Sequence, residues 1–292
     1  MNDLADLRDR RVADPDGFRR ALPDRRRSPL PADGRLFIVA ADHPARGALG
    51  VGADPMAMAD RDELLDRLRL ALAHPGVDGV LGTADILEDL AALGAVEGKL
   101  AVGSMNRGGL RGAAFELDDR FTGYDVPGAI AAGLDFGKLL LRIDLDDPGT
   151  VRTLEHAGRV VTDGADAGLP IMVEPFASRR VDGRVVNDLT PDAVIGSVAI
   201  SSGLGATSAR TWLKLPVVDE MERVMAATTL PTLLLGGDLD GPQDAAFARW
   251  DTALRLPGVR GLTVGRTLLY PADGEVGAAI DTAARLVHRG LR

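Results

Sequence analysis

From residue 35 onward, short apolar segments alternate with longer segments in which apolar residues recur at helical spacing. The apolar segments number eight and most are rich in Val, Leu and Ile, which predicts parallel strands covered on both faces. They run over Leu36–Ala41, Gly79–Gly82, Leu100–Ser104, Phe136–Ile143, Pro170–Phe176, Thr211–Val217, Pro231–Leu235 and Gly261–Val264.

The segments between and after these strands predict helices. Asp and Pro stand at or near several of their starts, where they cap a helix or fit its first turn. The predicted helices are Asp60–Ala73, Ala84–Leu93, Val126–Leu134, Pro148–Ala167, Pro191–Ser201, Val218–Thr228, Pro242–Leu256 and Gly274–Arg289.

Eight strand–helix pairs over roughly 250 residues match a (β/α)8 (TIM) barrel in number and length. The alternative, an open doubly wound sheet, favours a G-x-G-x-x-G motif after the first strand, and Ala40-Ala41-Asp42-His43-Pro44 stands there instead. We therefore expect an α/β protein in which a barrel covers residues 35–292. The charged, Pro-containing residues 1–34 predict one or two short helices packed across one end of it.

Two connections are longer than a barrel needs. One covers residues 106–125, and the other covers residues 177–189 and contains Val181-Asp182-Gly183-Arg184-Val185, a hairpin pattern with an Asp-Gly turn. Both follow the carboxyl ends of strands, where barrel active sites are built. We expect them to act as lids or to contact the substrate.

Composition narrows the function. The net charge of −9 disfavours nucleic acid and membrane surfaces as partners, and the absence of Cys excludes disulfides, thiolate metal ligands and a Cys nucleophile. No apolar segment reaches the length of a membrane span, and the charged start resembles no signal peptide. These features predict a cytoplasmic protein with a small-molecule partner; homo-oligomerisation through outer helices stays open.

Only three of the 34 basic residues are lysines: Lys99, Lys138 and Lys214. One interpretation is a codon bias that favours Arg throughout. The other is that a site requires an amine, which can lose its proton and attack a carbonyl carbon as a guanidinium cannot.

Polar residues gather at the carboxyl ends of the predicted strands. Because side chains alternate along a strand, Lys138, Arg142 and Asp144 share the face of their strand that points into the barrel. Glu174 and Lys214 point inward from the next two strands. A buried salt-bridge network that closes the barrel would explain these charges. Amine catalysis would also explain them.

For amine catalysis, burial beside Lys138 or Arg142 would lower the pKa of Lys214 and leave a neutral amine. That amine would form a Schiff base with a ketone, and the protonated imine would accept electrons as a carbon–carbon bond breaks. Glu174 is the candidate for moving the proton of the substrate hydroxyl.

The last two strands indicate phosphate binding. Gly236 and Gly237 follow the seventh strand, and Gly265 and Arg266 follow the eighth, where barrels commonly hold phosphate with backbone N–H groups and a guanidinium. The four histidines lie far apart in sequence, so we predict neither a metal site nor a cofactor. The expected substrate is a phosphorylated carbonyl compound.

Short motifs in the same order resemble the class I (β/α)8 aldolases of the deoxyribose-phosphate, tagatose-bisphosphate and archaeal-type fructose-bisphosphate group. The resemblance spans residues 36–269. The motifs are Asp42-His43, Lys138-Leu-Leu-Leu-Arg142-Ile-Asp144, Pro170-Ile-Met-Val-Glu174-Pro, Trp212-Leu-Lys214-Leu-Pro and Thr263-Val-Gly-Arg266.

The resemblance implies roles for individual residues. Lys214 would form the Schiff base, and Glu174 would be the acid/base. Lys138 and Asp42 would hold the substrate, and Arg266 would bind its phosphate. This sequence has Asp42-His43-Pro44-Ala45-Arg46-Gly47 where the tagatose-bisphosphate type has Asp-Gln-Arg-Gly.

The most similar branch comprises actinobacterial aldolase-like proteins of myo-inositol breakdown. It implies cleavage of 5-dehydro-2-deoxygluconate 6-phosphate to dihydroxyacetone phosphate and malonate semialdehyde. The substrate carboxylate would need cations away from the phosphate site, and His43 would orient a substrate hydroxyl or cap its strand. Candidate cations are the loop residues Arg46, Arg107, Arg179 and Arg180, although each is also typical of a solvated surface. Arg142 is a further candidate for binding the substrate or its phosphate.

Other functions fit the same residues. An aldolase of this group could act on tagatose or fructose bisphosphate, deoxyribose 5-phosphate or a sulfosugar phosphate. A sugar-phosphate isomerase or decarboxylase would use the phosphate site without an imine. A sugar-phosphate sensor would bind its ligand without converting it to a product.

Overall fold

Eight parallel strands close into a barrel in a computed structural model that describes residues 4–237 and 242–289. The first strand pairs with both the second and the last, and the fourth pairs with the fifth, so the ring has no open edge. The predicted closed barrel is confirmed, and the open doubly wound sheet is excluded. The strands are β1 (Leu36–Ala40), β2 (Gly79–Gly82), β3 (Leu100–Ser104), β4 (Phe136–Ile143), β5 (Ile171–Val181), β7 (Thr211–Leu215), β8 (Thr232–Leu235) and β9 (Val259–Val264).

Helices surround the barrel and agree closely with the pattern of the sequence. Asp60 and Asp125 each cap a helix by accepting a hydrogen bond from a backbone N–H three residues on, at 2.9 and 2.7 Å. The helices are α1 (Leu4–Ala13), α2 (Pro15–Asp24), α3 (Arg61–Ala73), α4 (Ala84–Ala92), α5 (Val126–Ala131), α6 (Gly149–Asp166), α7 (Pro191–Ser202), α8 (Met221–Ala226), α9 (Gln243–Ala253), α10 (Arg266–Leu269) and α11 (Val276–Val287).

Among the predicted helices, α8 is shortened most. The sequence predicts residues 218–228, whereas α8 begins at Met221 and ends at Ala226. Glu220 adopts φ +54°, a left-handed conformation that cannot belong to an α-helix, so the helix starts after it.

The core has two layers because strand side chains alternate. Leu139 and Leu141 of β4 face outward and pack in the apolar shell between strands and helices. Apolar side chains such as Phe136 and Met172 fill the barrel interior, and Trp212 packs edge-on against Phe136 with ring centroids 5.5 Å apart. These apolar side chains occupy the lower layers of the barrel. The polar side chains that point inward therefore lie above them, towards the carboxyl ends of the strands.

The second long connection forms a hairpin. The sequence predicts the fifth strand to end at Phe176, but β5 continues to Val181 and pairs antiparallel with β6 (Arg184–Asp188). Asp182 and Gly183 form the turn with φ of +49° and +78°, as the Asp-Gly pattern predicts. The hairpin therefore extends one barrel strand beyond the barrel rim.

The first two helices lie outside the ring of barrel helices, and α2 packs against α4 through buried Phe18 and Leu22. The chain that follows is fixed by the buried Arg25 guanidinium, which donates to Gly133 O at 2.9 Å and pairs with Asp135. Because Asp135 immediately precedes β4, this contact lies at the end of the barrel opposite the functional site.

Among residues 4–237 and 242–289, none of the helices combines the length and apolar character needed to span a bilayer.

Candidate functional site

Two lysines and two carboxylates form a continuous buried chain inside the barrel. Lys214 Nζ of β7 lies 2.6 Å from Glu174 Oε1 of β5. The other oxygen of Glu174 pairs with the ammonium of Lys138 on β4. Lys138 Nζ also donates to Asp42 Oδ2 at 3.2 Å. The structure thus brings together the four residues that the sequence predicts to be catalytic, and each is less than one-tenth exposed.

Arg107 adds a third cation to this chain. Its guanidinium pairs with Asp42 Oδ2, and its Nε donates to Ser104 Oγ at 2.8 Å. Ser104 Oγ in turn donates to Asp42 Oδ2 at 3.0 Å, so a closed ring of hydrogen bonds fixes the Asp42 carboxylate. Ion pairs therefore run without interruption from Arg107 through Asp42, Lys138 and Glu174 to Lys214. We call these five residues the ion chain.

Burial and neighbouring charge act together on the ionisation of this chain. Burial lowers the pKa of Lys214, and Arg107 and Arg266 lower it further against the opposing pull of Glu174. Burial alone would raise the pKa of Glu174, but Lys138 and Lys214 outweigh it and hold that pKa well below its ordinary range. Glu174 is therefore a carboxylate at neutral pH.

The two lysines differ in their partners. Burial, followed by the charge of Arg107, holds the pKa of Lys138 well below its ordinary value. Among the described residues, however, Lys138 pairs with two carboxylates, which stabilise its ammonium, and Lys214 pairs with one. The singly paired Lys214 is therefore the candidate for the free amine of the ion chain.

The ion chain opens into a cavity of about 560 Å³ at the carboxyl ends of the strands. Cations outnumber carboxylates in its described lining, although the whole protein is acidic. Such a cavity attracts an anionic substrate. The cationic lining residues are Arg46, Arg107, Arg111, Arg142, Lys214, Arg249 and Arg266, and the carboxylates are Asp42, Glu116 and Glu174.

The glycines and the arginine predicted to bind phosphate share one wall of this cavity. Gly236 and Gly237 follow β8, and Gly265 and Arg266 follow the neighbouring β9. A Cβ on Gly265 would clash with the backbone carbonyl of Ala40. Only glycine therefore allows this loop to pass so close to β1.

Two further predicted substrate-binding residues lie at the end of β1. His43 lines the cavity, and its pKa is held well below the ordinary value by burial, then by the charges of Arg266 and Lys214. Its imidazole is therefore neutral at pH 7. Arg46 also lines the cavity, and its Nη1 lies 3.8 Å from Glu116 Oε1.

Arg142 points inward and lines the cavity as alternation predicts, but its guanidinium is held by the loop of residues 106–125. Nε donates to Asp119 Oδ2 at 3.0 Å, Nη2 to Gly109 O at 3.3 Å, and Nη1 lies 3.5 Å from Glu116 Oε1. The substrate-binding role of Arg142 stays a prediction, and its observed contacts anchor this loop. The basic residue that Glu174 links to Lys214 is accordingly Lys138 and not Arg142.

The sequence interpretation missed the position of Arg107. It grouped Arg107 with surface arginines, but the side chain is buried and belongs to the ion chain. The spacing of Ser104 and Arg107 gave a signal, because a hydroxyl at a strand end can accept from a nearby guanidinium. Asp144, which was assigned to the inward face, follows β4 and accepts from the N–H of Asp146 at 3.0 Å, outside the ion chain.

The other candidate cations of the second long connection lie elsewhere. Arg179 and Arg180 are exposed on the hairpin, and Arg180 donates to Ala114 O. The hairpin instead contributes Val185, Val186 and Asn187 to the cavity lining. In the part of the chain that the structure describes, no three His, Asp or Glu side chains converge as metal ligands would.

The fold and the ion chain define a (β/α)8 barrel with two buried lysines in its interior. The chain belongs to the Cgl0159-like family, which matches residues 34–284. The crystal structure of Cgl0159 from Corynebacterium glutamicum is 62% identical, covers 98% of this chain and 96% of that chain, and has a TM-score of 0.95. No curated protein matches the chain.

More distant structures share the fold. An archaeal fructose 1,6-bisphosphate aldolase is 19% identical with a TM-score of 0.67, over 94% of this chain and 100% of that chain. A fructose-bisphosphate aldolase from Slackia heliotrinireducens is 15% identical with a TM-score of 0.60, over 99% and 92% of the two chains. These similarities confirm the barrel fold that the resemblance implies.

Proposed function

We propose that the protein is a class I aldolase that cleaves a phosphorylated keto sugar or sugar acid through a Schiff base on Lys214. The observation that carries this proposal is the 2.6 Å contact between Lys214 Nζ and Glu174 Oε1 inside a barrel that opens into an arginine-rich cavity. A buried amine beside a carboxylate can form an imine and move the associated protons. The aldolase fold of the more distant neighbours supports the same chemistry.

The first half of the reaction forms the imine. The neutral amine of Lys214 attacks the substrate ketone, and the resulting carbinolamine loses water to give a protonated imine. Glu174 is close enough to give the departing hydroxyl its proton once it has taken one from the attacking amine. Asp42 lines the cavity floor and would hold a substrate hydroxyl, while Lys138 beneath it fixes both carboxylates.

The second half breaks the carbon–carbon bond. The bonding pair between the α and β carbons moves into the protonated imine and gives an enamine. Glu174 takes the proton of the β-hydroxyl, which becomes the carbonyl of the aldehyde product. Protonation of the enamine carbon and hydrolysis of the imine then release the ketone product and restore the Lys214 amine.

The best specific substrate is 5-dehydro-2-deoxygluconate 6-phosphate, cleaved to dihydroxyacetone phosphate and malonate semialdehyde. Its phosphate is on the carbon next to the ketone, and the phosphate wall formed by Gly236, Gly265 and Arg266 follows β8, which pairs with β7, and β9, the next strand around the barrel. Its carboxylate is at the other end of the molecule, and Arg46 and Arg111 of the cavity lining are the candidates to bind it. Arg107 is committed to Asp42 and does not serve this carboxylate.

The test is mass spectrometry after treatment with sodium borohydride and dihydroxyacetone phosphate. We expect a mass increase equal to the reduced adduct, mapped to the peptide that contains Lys214 and absent from the Lys214→Met variant. Lys99 is the internal control, because it is held by the carbonyls of His74 and Val77 outside the cavity. Absence of an adduct with this compound and with other phosphorylated ketoses and aldoses would overturn the proposal and favour an isomerase or a sensor.

Malonate semialdehyde then tests the substrate. Incubated with dihydroxyacetone phosphate, the wild-type protein should consume both and yield the six-carbon acid phosphate. An adduct on Lys214 without this condensation would retain the aldolase class and redirect the search to the other sugar phosphates.

A further inference from the structure

Arg107 has no part in the reaction proposed above, yet it occupies one end of the ion chain. Its side chain is 7% exposed, and burial lowers its pKa to about 10, so it remains a cation at neutral pH. Burying a cation is costly, and a surface arginine would avoid that cost. The burial of this cation therefore indicates that Arg107 has a function.

The charges of the ion chain do not balance when both lysines are protonated. Arg107, Lys138 and Lys214 then face only Asp42 and Glu174, which leaves one positive charge in excess. Loss of one proton makes the ion chain neutral. Without Arg107, the two carboxylates would match two protonated lysines, and the charge balance of the ion chain would no longer favour a free amine.

We propose that Arg107 is a positioning residue that occupies Asp42 and thereby leaves Lys214 as the neutral amine of the ion chain. Asp42 accepts from Arg107, Ser104 and Lys138 at the same oxygen, Oδ2. Since Arg107 shares this carboxylate, Lys138 depends more strongly on Glu174. Glu174 in turn is less able to hold a proton on Lys214. This inference rests on the proposed imine chemistry, to which it adds the control of the amine.

The charged groups around Lys214 are consistent with this effect. Glu174 on β5 is the carboxylate that favours its protonated form, whereas Arg107 from the loop after β3 and Arg266 at the end of β9 disfavour it. Lys138 on β4 is linked to Lys214 through Glu174, which pairs with both lysines. His43 at the end of β1 is neutral and adds no charge.

The loop holds Arg107 in place. The N–H of Arg107 donates to Thr122 Oγ1 at 3.2 Å, and the side chain of the preceding Asn106 bonds to the backbone of Leu140. These hydrogen bonds fix the backbone from which the Arg107 guanidinium reaches Asp42.

The test follows the reactivity of Lys214 with an amine-acetylating reagent against pH, by peptide mass spectrometry on the full chain. Acetylation requires the free amine but neither substrate nor turnover. In Arg107→Met we expect the midpoint for Lys214 to move up by about one pH unit, with a roughly tenfold slower reaction near pH 7. Arg107→Lys, which retains a cation, should recover most of the shift.

The matched control is Arg120→Met, which removes an exposed arginine from the same loop and should leave the midpoint unchanged. Should Arg107→Met not fold, as judged by circular dichroism, Ser104→Ala provides the second test. It removes the hydroxyl that bridges Arg107 and Asp42 in addition to their direct ion pair. The acetylation midpoint of Lys214 should therefore move in the same direction by a smaller amount.

The outcomes separate this inference from the proposed function. An unchanged or lower midpoint in folded Arg107→Met, or in Ser104→Ala, would overturn the role of Arg107 even if borohydride traps a substrate on Lys214. A raised midpoint without any trapped adduct would support the role of Arg107 and contradict the aldolase.

Discussion

The side chain of Asn106 hydrogen-bonds to both backbone polar groups of Leu140. Its Nδ2 donates to Leu140 O at 2.6 Å, and its Oδ1 accepts from Leu140 N at 2.7 Å. The last backbone pair between β3 and β4 is Ser104 with Lys138, so Asn106 continues the contact between the strands with a side chain. This contact fixes the start of the loop that carries Arg107.

We expect Asn106→Ala to lower the free energy of unfolding by about 3 kcal/mol, because it leaves a buried N–H and a buried carbonyl of Leu140 without partners. Urea unfolding measures this difference. Arg184→Ala, at an exposed position of the hairpin, is the control and should cost less than about 1 kcal/mol. Equal losses for the two variants would show that Asn106 does not hold the strands together.

Glu174→Gln should lower turnover about 10²- to 10⁴-fold, because an amide cannot take the proton of the substrate hydroxyl. The same change removes the carboxylate that favours the ammonium of Lys214, so the acetylation midpoint should move to lower pH. This direction is opposite to that expected for Arg107→Met. Glu222→Gln, exposed on α8, is the matched control, and a Glu174→Gln enzyme with normal turnover would assign the proton transfer elsewhere.

Arg266→Ala should weaken binding of a phosphorylated ligand by roughly 10- to 100-fold, the range expected for the loss of hydrogen bonds to a charged group. Calorimetric titration with dihydroxyacetone phosphate, with Lys214→Met as the background to prevent imine formation, measures this change. Arg260→Ala on β9, the strand that precedes Arg266, is the control because Arg260 is exposed. Unaltered affinity in the Arg266 variant would place the phosphate elsewhere in the cavity.

His288 should make stability depend on pH. Its Nε2 lies 2.9 Å from Asp78 Oδ2, and the hydrogen bond to Asp78 raises the pKa of the imidazole above its ordinary value. The folded protein therefore binds this proton more tightly than the unfolded chain does. The stabilisation is complete below about pH 6.5 and is lost as the pH rises through the folded pKa.

The measurement is urea unfolding at pH 6 and pH 8 for wild type and His288→Asn. The wild type should lose more stability than the variant over this interval. Asp33→Asn removes the more distant carboxylate, which lies 3.9 Å from the His288 ring. It should reduce the pH dependence of stability by less than His288→Asn does. The same pH dependence in wild type and His288→Asn would refute the assignment.

The sequence predicted the barrel because its signal is local and repeated. Each strand is a short apolar segment, and alternation alone placed Lys138, Glu174 and Lys214 inside. Those positions required no knowledge of the contacts between strands, since inward residues near the ends of neighbouring strands must meet.

The remainder of the site depends on contacts between distant residues. Arg107 lies in a loop without periodicity, and its burial results from packing that a single sequence does not display. Arg142 was placed on the correct face, but its partner Asp119 lies 23 residues away. The left-handed Glu220, which shortens α8, is a backbone conformation that residue type alone seldom predicts.

The contacts of Arg142 with Asp119 and Glu116 have a consequence for the passage of substrate and product. They attach the loop of residues 106–125 to the barrel and give the cavity one fixed side. We expect exchange with solvent on the side of the β5–β6 hairpin, where the exposed Val186 and Leu189 line the cavity. Substitutions in the hairpin should accordingly alter the rate of product release, and those in the ion chain the rate of bond cleavage.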